Sequence, residues 1–314
     1  MTYYNSVERF GRTIGEEALT WIKEAIDGAE AIVIGAGAGL STSAGFVYDG
    51  ERFEKWFSDF SKRYGFSNMY EAGFYPYPTR EEFWAFWARQ IYINRYLNPP
   101  KPTYETLHKL VKDKNYFVLT TNVDHCFQKA GFDKKRLFYT QGDFGLFQSV
   151  NPKIQKTYDN EDWVYQAMLA QGFIRNKEGV FDFPDDGKVR MSLPSALIPK
   201  CPDDGSEMTT NLRIDQTFVE DEGWHRAAKA YADFLKEYEN RKVLYMELGV
   251  GDNTPEIIKY PFWRMVKANS KAKYLCVNYD GTVYPAELEA SSLFVNYDID
   301  ALLNKLVSRQ SVNV

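Results

Sequence analysis

The stretch Ala31-Ile-Val-Ile-Gly-Ala-Gly-Ala-Gly-Leu-Ser41 joins a short apolar run to three glycines that stand two residues apart. Residues 31–34 predict a buried strand, the glycines a tight loop, and residues 40–44 the start of a helix. Without a β-carbon, a glycine backbone can approach a pyrophosphate, and loop N–H groups with the helix N-terminus can hold its charge. Ser41 adds a hydroxyl donor. The stretch favours a dinucleotide-binding loop; a tight turn without a ligand is the alternative.

Strands and helices alternate on both sides of this loop. Further strands are predicted at Tyr116–Thr120, Leu137–Tyr139, Val243–Leu248, Tyr274–Val277 and Leu293–Val295; helices are predicted at 13–28, from Tyr104 onward and at Asp300–Val307, with a turn or helix at Asn122–Gly131. This alternation predicts an α/β fold with a mostly parallel sheet and helices on both faces. We assign the Rossmann-like domain to residues 1–48, 103–150 and 239–314.

Two segments interrupt the alternation. Residues 49–102 are crowded with aromatic side chains and punctuated by prolines, which predicts an inserted module of two or three helices. Its aromatic residues are expected mainly in a core, with Tyr75, Tyr77 and Phe83 as candidates for the wall of a substrate groove. Residues 151–238 are polar at first and helical around residues 224–238, and they predict a second inserted module.

The composition is that of a folded protein. The 314 residues include 44% hydrophobic and 26% charged residues, and the formal net charge is −5. An acidic chain without a dense run of Lys and Arg argues against a nucleic-acid partner. No apolar run approaches the 18 residues of a membrane span, and the N-terminus lacks the apolar core of a signal peptide. Because its three cysteines are isolated, we expect reduced thiols and a cytoplasmic location.

The sequence beyond the glycine loop does not resemble that of a dehydrogenase. Such an enzyme would carry a second strand that ends in Asp or Glu about 20 residues after the last glycine. Here Glu51, Glu54 and Asp59 lie in aromatic, helix-like sequence instead. The pattern therefore favours a dinucleotide ligand without hydride transfer.

Several segments, taken in order, resemble the sirtuin family. Residues 37–45, GAGLSTSAG, are similar to the family's GAGxSxxxG phosphate loop. Residues 121–124, TNVD, followed by Ala130-Gly131, are similar to its TQNID…AG segment. Residues 249–251, GVG, stand where a GTS-type phosphate turn is expected, and Val277-Asn278 where the family carries an Asn for the adenosine ribose. The order and spacing match over nearly the whole chain, which implies a sirtuin-like Rossmann domain that binds NAD⁺.

The sequence departs from the family pattern at three places. The catalytic His-Gly of the family is replaced by Gln141-Gly142, and the PDFR after the glycine loop is replaced by residues 47–50, VYDG. The two CxxC pairs of the zinc ribbon are missing, and Cys201 remains from them. One cysteine does not make a four-ligand structural site, so we predict no zinc and an incomplete zinc-ribbon module.

With these departures, the sequence resembles the divergent microbial sirtuins that are linked to macrodomain proteins and are often called class M. The resemblance implies NAD-dependent mono-ADP-ribosylation of a protein in place of deacylation. It implies a lipoyl-carrier protein, similar to the glycine-cleavage H protein, as the acceptor. A macrodomain hydrolase that removes the modification is the implied functional partner.

The resemblance also implies the site residues. Asn122, Asp124 and Gln141 are the expected catalytic residues: Asn122 to hold the ribose and a water, and Asp124 to orient the nicotinamide or favour the developing positive charge. The expected cofactor contacts are Ala36, Gly37, Ala38, Gly39, Ser41, Gly45, Asn122, Asp124, Gln141, Gly249, Val250, Gly251, Asn253, Asn278, Tyr279 and Asp298.

The replacement of His by Gln decides which reaction we expect. Deacylation needs a base that takes a proton from a ribose hydroxyl, which an imidazole with a pKa near 6.5 can do at neutral pH. The Gln141 amide hydrogen-bonds but does not accept that proton. A nucleophile on an acceptor protein can still capture the cationic sugar.

Other interpretations stay open for single residues and for the function. Asn122 is a common type of helix cap, and Asp124 a common first-turn residue. His108 and His225 are not expected to be catalytic, whereas His125 lies close enough to be a candidate proton shuttle. The rival functions are an NAD hydrolase and a catalytically silent sensor of NAD⁺ or ADP-ribose, and a residual deacylase is the least expected.

Overall fold

The computed structural model describes residues 4–7, 14–251 and 255–310. Its strands are β1 (Tyr4–Val7), β2 (Ala31–Ala36), β3 (Tyr116–Thr120), β4 (Leu137–Tyr139), β5 (Gly142–Ser149), β6 (Thr157–Asp159), β7 (Ile174–Arg175), β8 (Phe181–Asp182), β9 (Met208–Leu212), β10 (Val243–Leu248), β11 (Lys273–Val277), β12 (Thr282–Pro285) and β13 (Ser292–Val295). Its α-helices are α1 (Glu16–Gly28), α2 (Ala38–Ser43), α3 (Gly50–Tyr64), α4 (Met69–Gly73), α5 (Arg80–Ile91), α6 (Thr103–Val111), α7 (Cys126–Lys129), α8 (Glu161–Gln171), α9 (Glu222–Glu237), α10 (Lys259–Ala268) and α11 (Ile299–Gln310). A π-helical turn follows α5 at Tyr92–Tyr96.

The main sheet of the described residues is parallel and has the order β13-β11-β10-β2-β3-β4. Every residue of β2, β3 and β10 is buried, as expected for parallel strands that are covered on both faces. Apolar residues of α1, α6 and α11 pack on one face, and those of α9 and α10 pack on the other. The predicted α/β fold with a parallel sheet and helices on both faces is therefore confirmed.

The order of the strands reverses between β2 and β10. From β2 the chain proceeds to β3 and β4 on one side, and from β10 it proceeds to β11 and β13 on the other. In open parallel sheets, ligands bind beyond the carboxyl ends of the strands at such a switch point. The glycine loop after β2 and residues 249–251 after β10 meet at this place.

The predicted elements of the main sheet agree with the structure, with shifts at their ends. β2 continues to Ala36, and α2 begins at Ala38 rather than at Leu40. The predicted turn or helix at 122–131 contains α7, which is four residues long. No helix is predicted between Leu248 and Tyr274, where the structure has α10; Pro261 lies in its first turn, where a proline is tolerated.

The two predicted insertions pack together. Phe53 and Phe86 from 49–102 share one hydrophobic cluster with Val164 and Met168 from 151–238. Two elements pack outside the domain to which the sequence assigns them. Strand β5 lies within 103–150, yet it pairs with β6 and β9 in a small antiparallel sheet. Helix α9 lies within 151–238, yet it packs on the main sheet. The β5 departure arises because a polar turn follows the predicted strand at 137–139, and sequence alone does not show which sheet the next strand joins.

The aromatic residues of 49–102 form a core. Tyr77 contacts both Tyr75 and Phe83, and Tyr75 and Tyr77 also contact Tyr64, Phe66 and Phe86 between them, with ring centroids 4.8–6.3 Å apart. They pack against the shared cluster and do not line the cleft described below. The expectation that these aromatic residues form a core is confirmed. Tyr75, Tyr77 and Phe83 do not form a wall of the cleft that is described in the next subsection.

The three cysteines are free and buried. Cys201 donates to the hydroxyl of Tyr158 at 3.4 Å, and a 2.6 Å hydrogen bond joins Ser149, the last residue of β5, to Ser206, which precedes β9. Within the part of the chain that the structure describes, no three His, Cys, Asp or Glu side chains group closely enough to hold a metal ion. Across the same residues, no helix combines the length and apolar character that crossing a membrane requires.

Candidate active site

The parallel sheet gathers the predicted site segments at one edge. Ala36 ends β2 and residues 37–41 follow it, residues 121–124 follow β3, and Gln141 lies just after β4. Residues 249–251 follow β10, and Asn278 and Tyr279 follow β11. Because the carboxyl ends of parallel strands face the same way, segments that are distant in sequence converge on one cleft.

The glycine loop and the turn after β10 touch backbone to backbone. The N–H of Gly37 donates to Leu248 at 3.0 Å, and that of Gly39 donates to Gly249 at 2.9 Å. A β-carbon on Gly39 would lie 2.7 Å from the Cα of Gly249, and one on Gly249 would lie 2.4 Å from the backbone nitrogen of Leu40. The glycines are therefore required for the contact between the two loops. The expectation that these two N–H groups hold a pyrophosphate needs correction, because carbonyl oxygens already accept from both.

Replacing Gly249 with Ala should destabilise this junction. Gly249 has a φ of +62°, so Ala there would suffer backbone strain of about 1–2 kcal/mol in addition to the clash with Leu40. We expect a lower thermal midpoint and weaker NAD⁺ binding by calorimetry. Gly28→Ala is the matched control, since Gly28 ends α1, is not among the expected cofactor contacts, and its β-carbon would meet no atom within 4 Å. Equal midpoints and affinities for the two variants would show that the close contact is not needed.

A cleft of about 280 Å³ lies beside the glycine loop. Its walls combine polar groups from the ends of β2 and β3 with three aromatic rings and one residue of the insertion 49–102, Asn94. The lining residues are Ala38, Ser41, Thr42, Phe46, Tyr48, Asn94, Thr121, Asn122, Val123, Asp124 and Phe144. It is a mainly apolar recess with a few converging polar groups, as is usual for small-molecule sites.

Asn122 is fixed in this cleft by its own amide and backbone. Its Nδ2 donates to the carbonyl of Gly37 at 2.9 Å and lies 3.3 Å from the hydroxyl of Tyr104, and its backbone N–H donates to Thr120 at 3.0 Å. Among the described residues none donates to its Oδ1. Asn122 does not cap α7, which begins at Cys126, so the capping interpretation is wrong. Its carbonyl oxygen is available for a ligand.

Asp124 lies at the centre of a buried hydrogen-bond network. Ser41 donates to its Oδ2 at 2.5 Å, and the Ser41 hydroxyl lies 2.9 Å from that of Tyr104. Burial, assisted by the charge of Asp124, raises the pKa values of Tyr48 and Tyr104 well above their usual range, so both stay neutral. Asp124 Oδ1 also accepts from the backbone N–H of Cys126 at 3.0 Å, so the residue additionally supports the start of α7.

Gln141 is placed beside the cleft and not in its wall. Thr140 continues β4 and donates its N–H to Thr120 at 2.9 Å, which brings Gln141 next to the loop that holds Asn122. The Gln141 Nε2 donates to the Thr140 hydroxyl at 3.2 Å, and its backbone oxygen accepts from Arg213 at 3.0 Å. Its predicted contact with the ribose remains a prediction.

Three of the remaining predicted contacts follow β11 and β13, on the other side of the switch point: Asn278, Tyr279 and Asp298. Asn278 donates to the carbonyl of Val250 at 3.2 Å, and Asp298 accepts from Ser43 at 2.9 Å. Tyr279 is 64% exposed, which leaves its ring free to stack on a base. Gly45 has a φ of +100° and lies against Pro100. Asn253 lies outside the described residues.

Sequence patterns miss several residues of the cleft. Tyr48, Asn94 and Phe144 line it from three separate segments, and the buried Tyr104 contacts its residues Ser41 and Asn122 from behind. Arg52 donates to the carbonyl of Val47 and to Asn94, at 3.0 and 2.9 Å, and so holds the segment that replaces the family's PDFR. Burial lowers the pKa of Arg52 to about 10, so it remains a cation at neutral pH. The helical spacing around Tyr104 predicts a core residue, and nothing local to it signals the hydroxyl contacts.

Comparisons with known proteins agree with this geometry. The chain is 35% identical to a protein ADP-ribosyltransferase of Staphylococcus aureus strain Mu50, over 92% of this chain and 87% of that protein. It is 28% identical to a probable bifunctional ADP-ribose hydrolase/ADP-ribosyltransferase of Fusarium oxysporum f. sp. cubense, over 78% of this chain and 39% of that protein. No family model matches the chain.

The fold has solved counterparts. A Sir2 protein bound to an acetylated peptide superposes with a TM-score of 0.57 at 17% identity, covering 94% of this chain and 99% of that one. A Sir2 protein with a p53 peptide and NAD⁺ gives a TM-score of 0.56 at 18% identity, with coverage of 94% and 99%. The chain therefore has a divergent sirtuin fold, and it belongs to the family of protein ADP-ribosyltransferases.

Proposed function

We propose that this chain is an NAD-dependent protein mono-ADP-ribosyltransferase. It would break the bond between nicotinamide and ribose and pass ADP-ribose to a protein acceptor. The observation that carries the proposal is the cleft at the switch point, where an Asn and a buried Asp follow one strand and Gln follows the next. The relative from Staphylococcus aureus, with its coverage of most of both chains, supports the same reaction class.

The residues of the cleft suit the binding of a dinucleotide. The glycine loop and the Gly249 turn leave no room for a β-carbon, so backbone without side chains forms this part of the surface at the switch point. Ala38, the first residue of α2, lines the cleft with Ser41. Tyr279 and Asp298 would lie toward the adenosine, and Asn122 and Asp124 toward the nicotinamide ribose.

The cleavage step develops positive charge on the ribose as the electron pair of the breaking bond moves to the nicotinamide ring. Asp124 supplies a negative charge, held by the hydroxyl of Ser41 and a backbone N–H. The Oδ1 of Asn122 supplies an oriented dipole from a side chain whose nitrogen is already bonded to Gly37. Groups that are oriented before the reaction stabilise developing charge most effectively in a sheltered cleft.

Gln141 favours transfer over deacylation. Its amide can hydrogen-bond to ribose hydroxyls but does not take a proton from them at neutral pH. The step that would let a ribose hydroxyl attack an acyl adduct is therefore slow, whereas an external nucleophile can attack the anomeric carbon.

For the partners, we propose a lipoyl-carrier protein as the acceptor and a macrodomain hydrolase as the enzyme that reverses the modification. The class M resemblance motivates both partners. The name of the Fusarium relative, which joins a hydrolase to a transferase, supports the pairing of the two activities.

Incubation with biotinylated NAD⁺ tests the function and the acceptor together. The acceptor candidates are a lipoylated carrier protein and the same carrier without lipoate. We expect a biotin adduct on the lipoylated carrier, with release of nicotinamide. Rapid loss of NAD⁺ without any adduct would identify a hydrolase instead, and tight binding without release of nicotinamide would identify a sensor.

A further inference from the structure

His125 has a strained backbone directly beside the catalytic loop. It follows Asp124 and has φ 65° and ψ 14°, in the left-handed region that residues other than glycine rarely adopt. Such strain persists where the surroundings hold the residue, and it is concentrated at functional sites. The contacts of the imidazole show what holds it.

One ring nitrogen of His125 is bound by a buried carboxylate. Its Nδ1 lies 2.6 Å from Oδ2 of Asp143, and Oδ1 of Asp143 accepts from Arg95 and from the N–H of Gly145, both at 2.7 Å. Burial alone would raise the pKa of Asp143, but the hydrogen bond with His125 and the charge of Arg95 outweigh it and lower the pKa below its usual value. Asp143 is therefore an anion at neutral pH, and Nδ1 of His125 is its hydrogen-bond donor.

The other ring nitrogen is then an acceptor. In a neutral imidazole with its proton on Nδ1, Nε2 carries a lone pair. No described residue bonds to this Nε2, and the His125 side chain is 24% exposed. His125 borders a small recess with Asn122, Asp124, Tyr139 and Gly142, between the ends of the two neighbouring strands. The recess thus places His125 next to Asn122 and Asp124, two residues that also line the cleft.

Transfer of ADP-ribose to a neutral nucleophile releases one proton. The bond from C1′ of the ribose to nicotinamide breaks and its electron pair stays on nicotinamide, while a new bond forms from the nucleophile to C1′. The positive charge of the nicotinamide ring is neutralised, and the proton of a hydroxyl, amine or thiol has to leave. Gln141 does not accept it, and His125 is the one histidine among the residues that line the cleft and the adjoining recess.

We propose that His125 is the proton acceptor of the transfer step, positioned by Asp143 and Arg95, and that the enzyme is built for nucleophiles that carry a proton. This inference rests on the proposed function. Asp143 acts through His125 and is a positioning residue, since it fixes the ring and its tautomer. The imidazole does not take part in breaking the bond to nicotinamide, which therefore does not depend on it.

Small nucleophiles test whether His125 acts in the transfer step and not in the cleavage of the bond to nicotinamide. Wild type and His125→Asn are incubated with NAD⁺ and either methanol, which must lose a proton, or azide anion, which has none to lose. Asn is chosen because it tolerates the left-handed backbone, and His125→Gln is the second variant. Exchange of labelled nicotinamide into NAD⁺, which needs no proton transfer from a nucleophile, reports bond cleavage in a folded site.

We expect the methyl product to fall by about 10²-fold or more in both variants, with azide product and nicotinamide exchange within about twofold of wild type. An equal fall of all three reactions would assign His125 a structural role and overturn the proposal. An unchanged methanol reaction would overturn it as well. A wild type that forms neither methyl nor azide product and does not exchange nicotinamide would overturn the proposed function itself, which separates the two failures.

Discussion

Asn122→Ala should reduce the rate of nicotinamide release from NAD⁺ by about 10²–10³. The substitution removes the Oδ1 atom of Asn122, to which no described residue donates. It also removes the hydrogen bond from Nδ2 to the carbonyl of Gly37. The dipole that faces the developing charge is lost, and water that enters the space must reorganise during the reaction. The measurement is kcat/KM for nicotinamide release, with thermal unfolding as the check on folding.

Asn115→Ala is the matched control for this variant. Asn115 precedes β3, whereas Asn122 follows it, so the two asparagines stand at opposite ends of the same strand. The Asn115 side chain is exposed and donates to the carbonyl of Glu30. If Asn122→Ala released nicotinamide as fast as Asn115→Ala, the assignment of the cleft would be wrong.

Arg89→Met should lower the free energy of unfolding by roughly 3–5 kcal/mol, the usual cost of removing one partner of a buried ion pair. Arg89 is fully buried. Its guanidinium donates to both oxygens of Asp59, to Gln171 and to the carbonyls of Trp56 and Arg190, at 2.7–2.9 Å. All five of its N–H groups are used, so the substitution leaves several buried acceptors without a donor.

Arg175→Met serves as the comparison for Arg89→Met. The Arg89 guanidinium also lies over the rings of Phe60 and Phe173. Arg175 is exposed and lies over the rings of Tyr165 and Phe181, so it has similar ring contacts without the buried hydrogen bonds. We expect its free energy of unfolding to stay within about 0.5 kcal/mol of wild type. Urea unfolding measures both. Similar losses for the two variants would mean that ring stacking, and not the buried network, stabilises the junction of α3, α5 and α8.

The main sheet could be predicted because its signals are local. The run at 31–34 and those at 116–120 and 243–248 are apolar, have strand length and are bounded by turn residues, which limits the alternatives. Gly39 and Gly249 were recognisable as turn residues, but their mutual contact was not, since the two lie far apart in sequence. What a glycine touches depends on the packing of the whole sheet.

The rest of the site could not be predicted because its contacts join distant segments. Ser41, Tyr104 and Asp124 form one buried hydrogen-bond network. The sequence pattern, however, predicts Tyr104 only as an apolar position of a helix. The pairing of Asp143 with His125 depends on β5 leaving the main sheet to join β6 and β9. No spacing rule relates such residues, whereas the ordered motifs of a family do locate Asn122 and Gln141.

The fate of a doubly labelled NAD⁺ tests the central claim most directly. The nicotinamide and the adenosine carry different labels, and the enzyme is offered a lipoylated carrier protein and an acyl-lysine peptide in one mixture. We predict that nicotinamide label enters solution in the same amount as adenosine label becomes bound to the carrier. Adenosine label that leaves with the acyl group of the peptide, while the carrier stays unlabelled, would contradict the account.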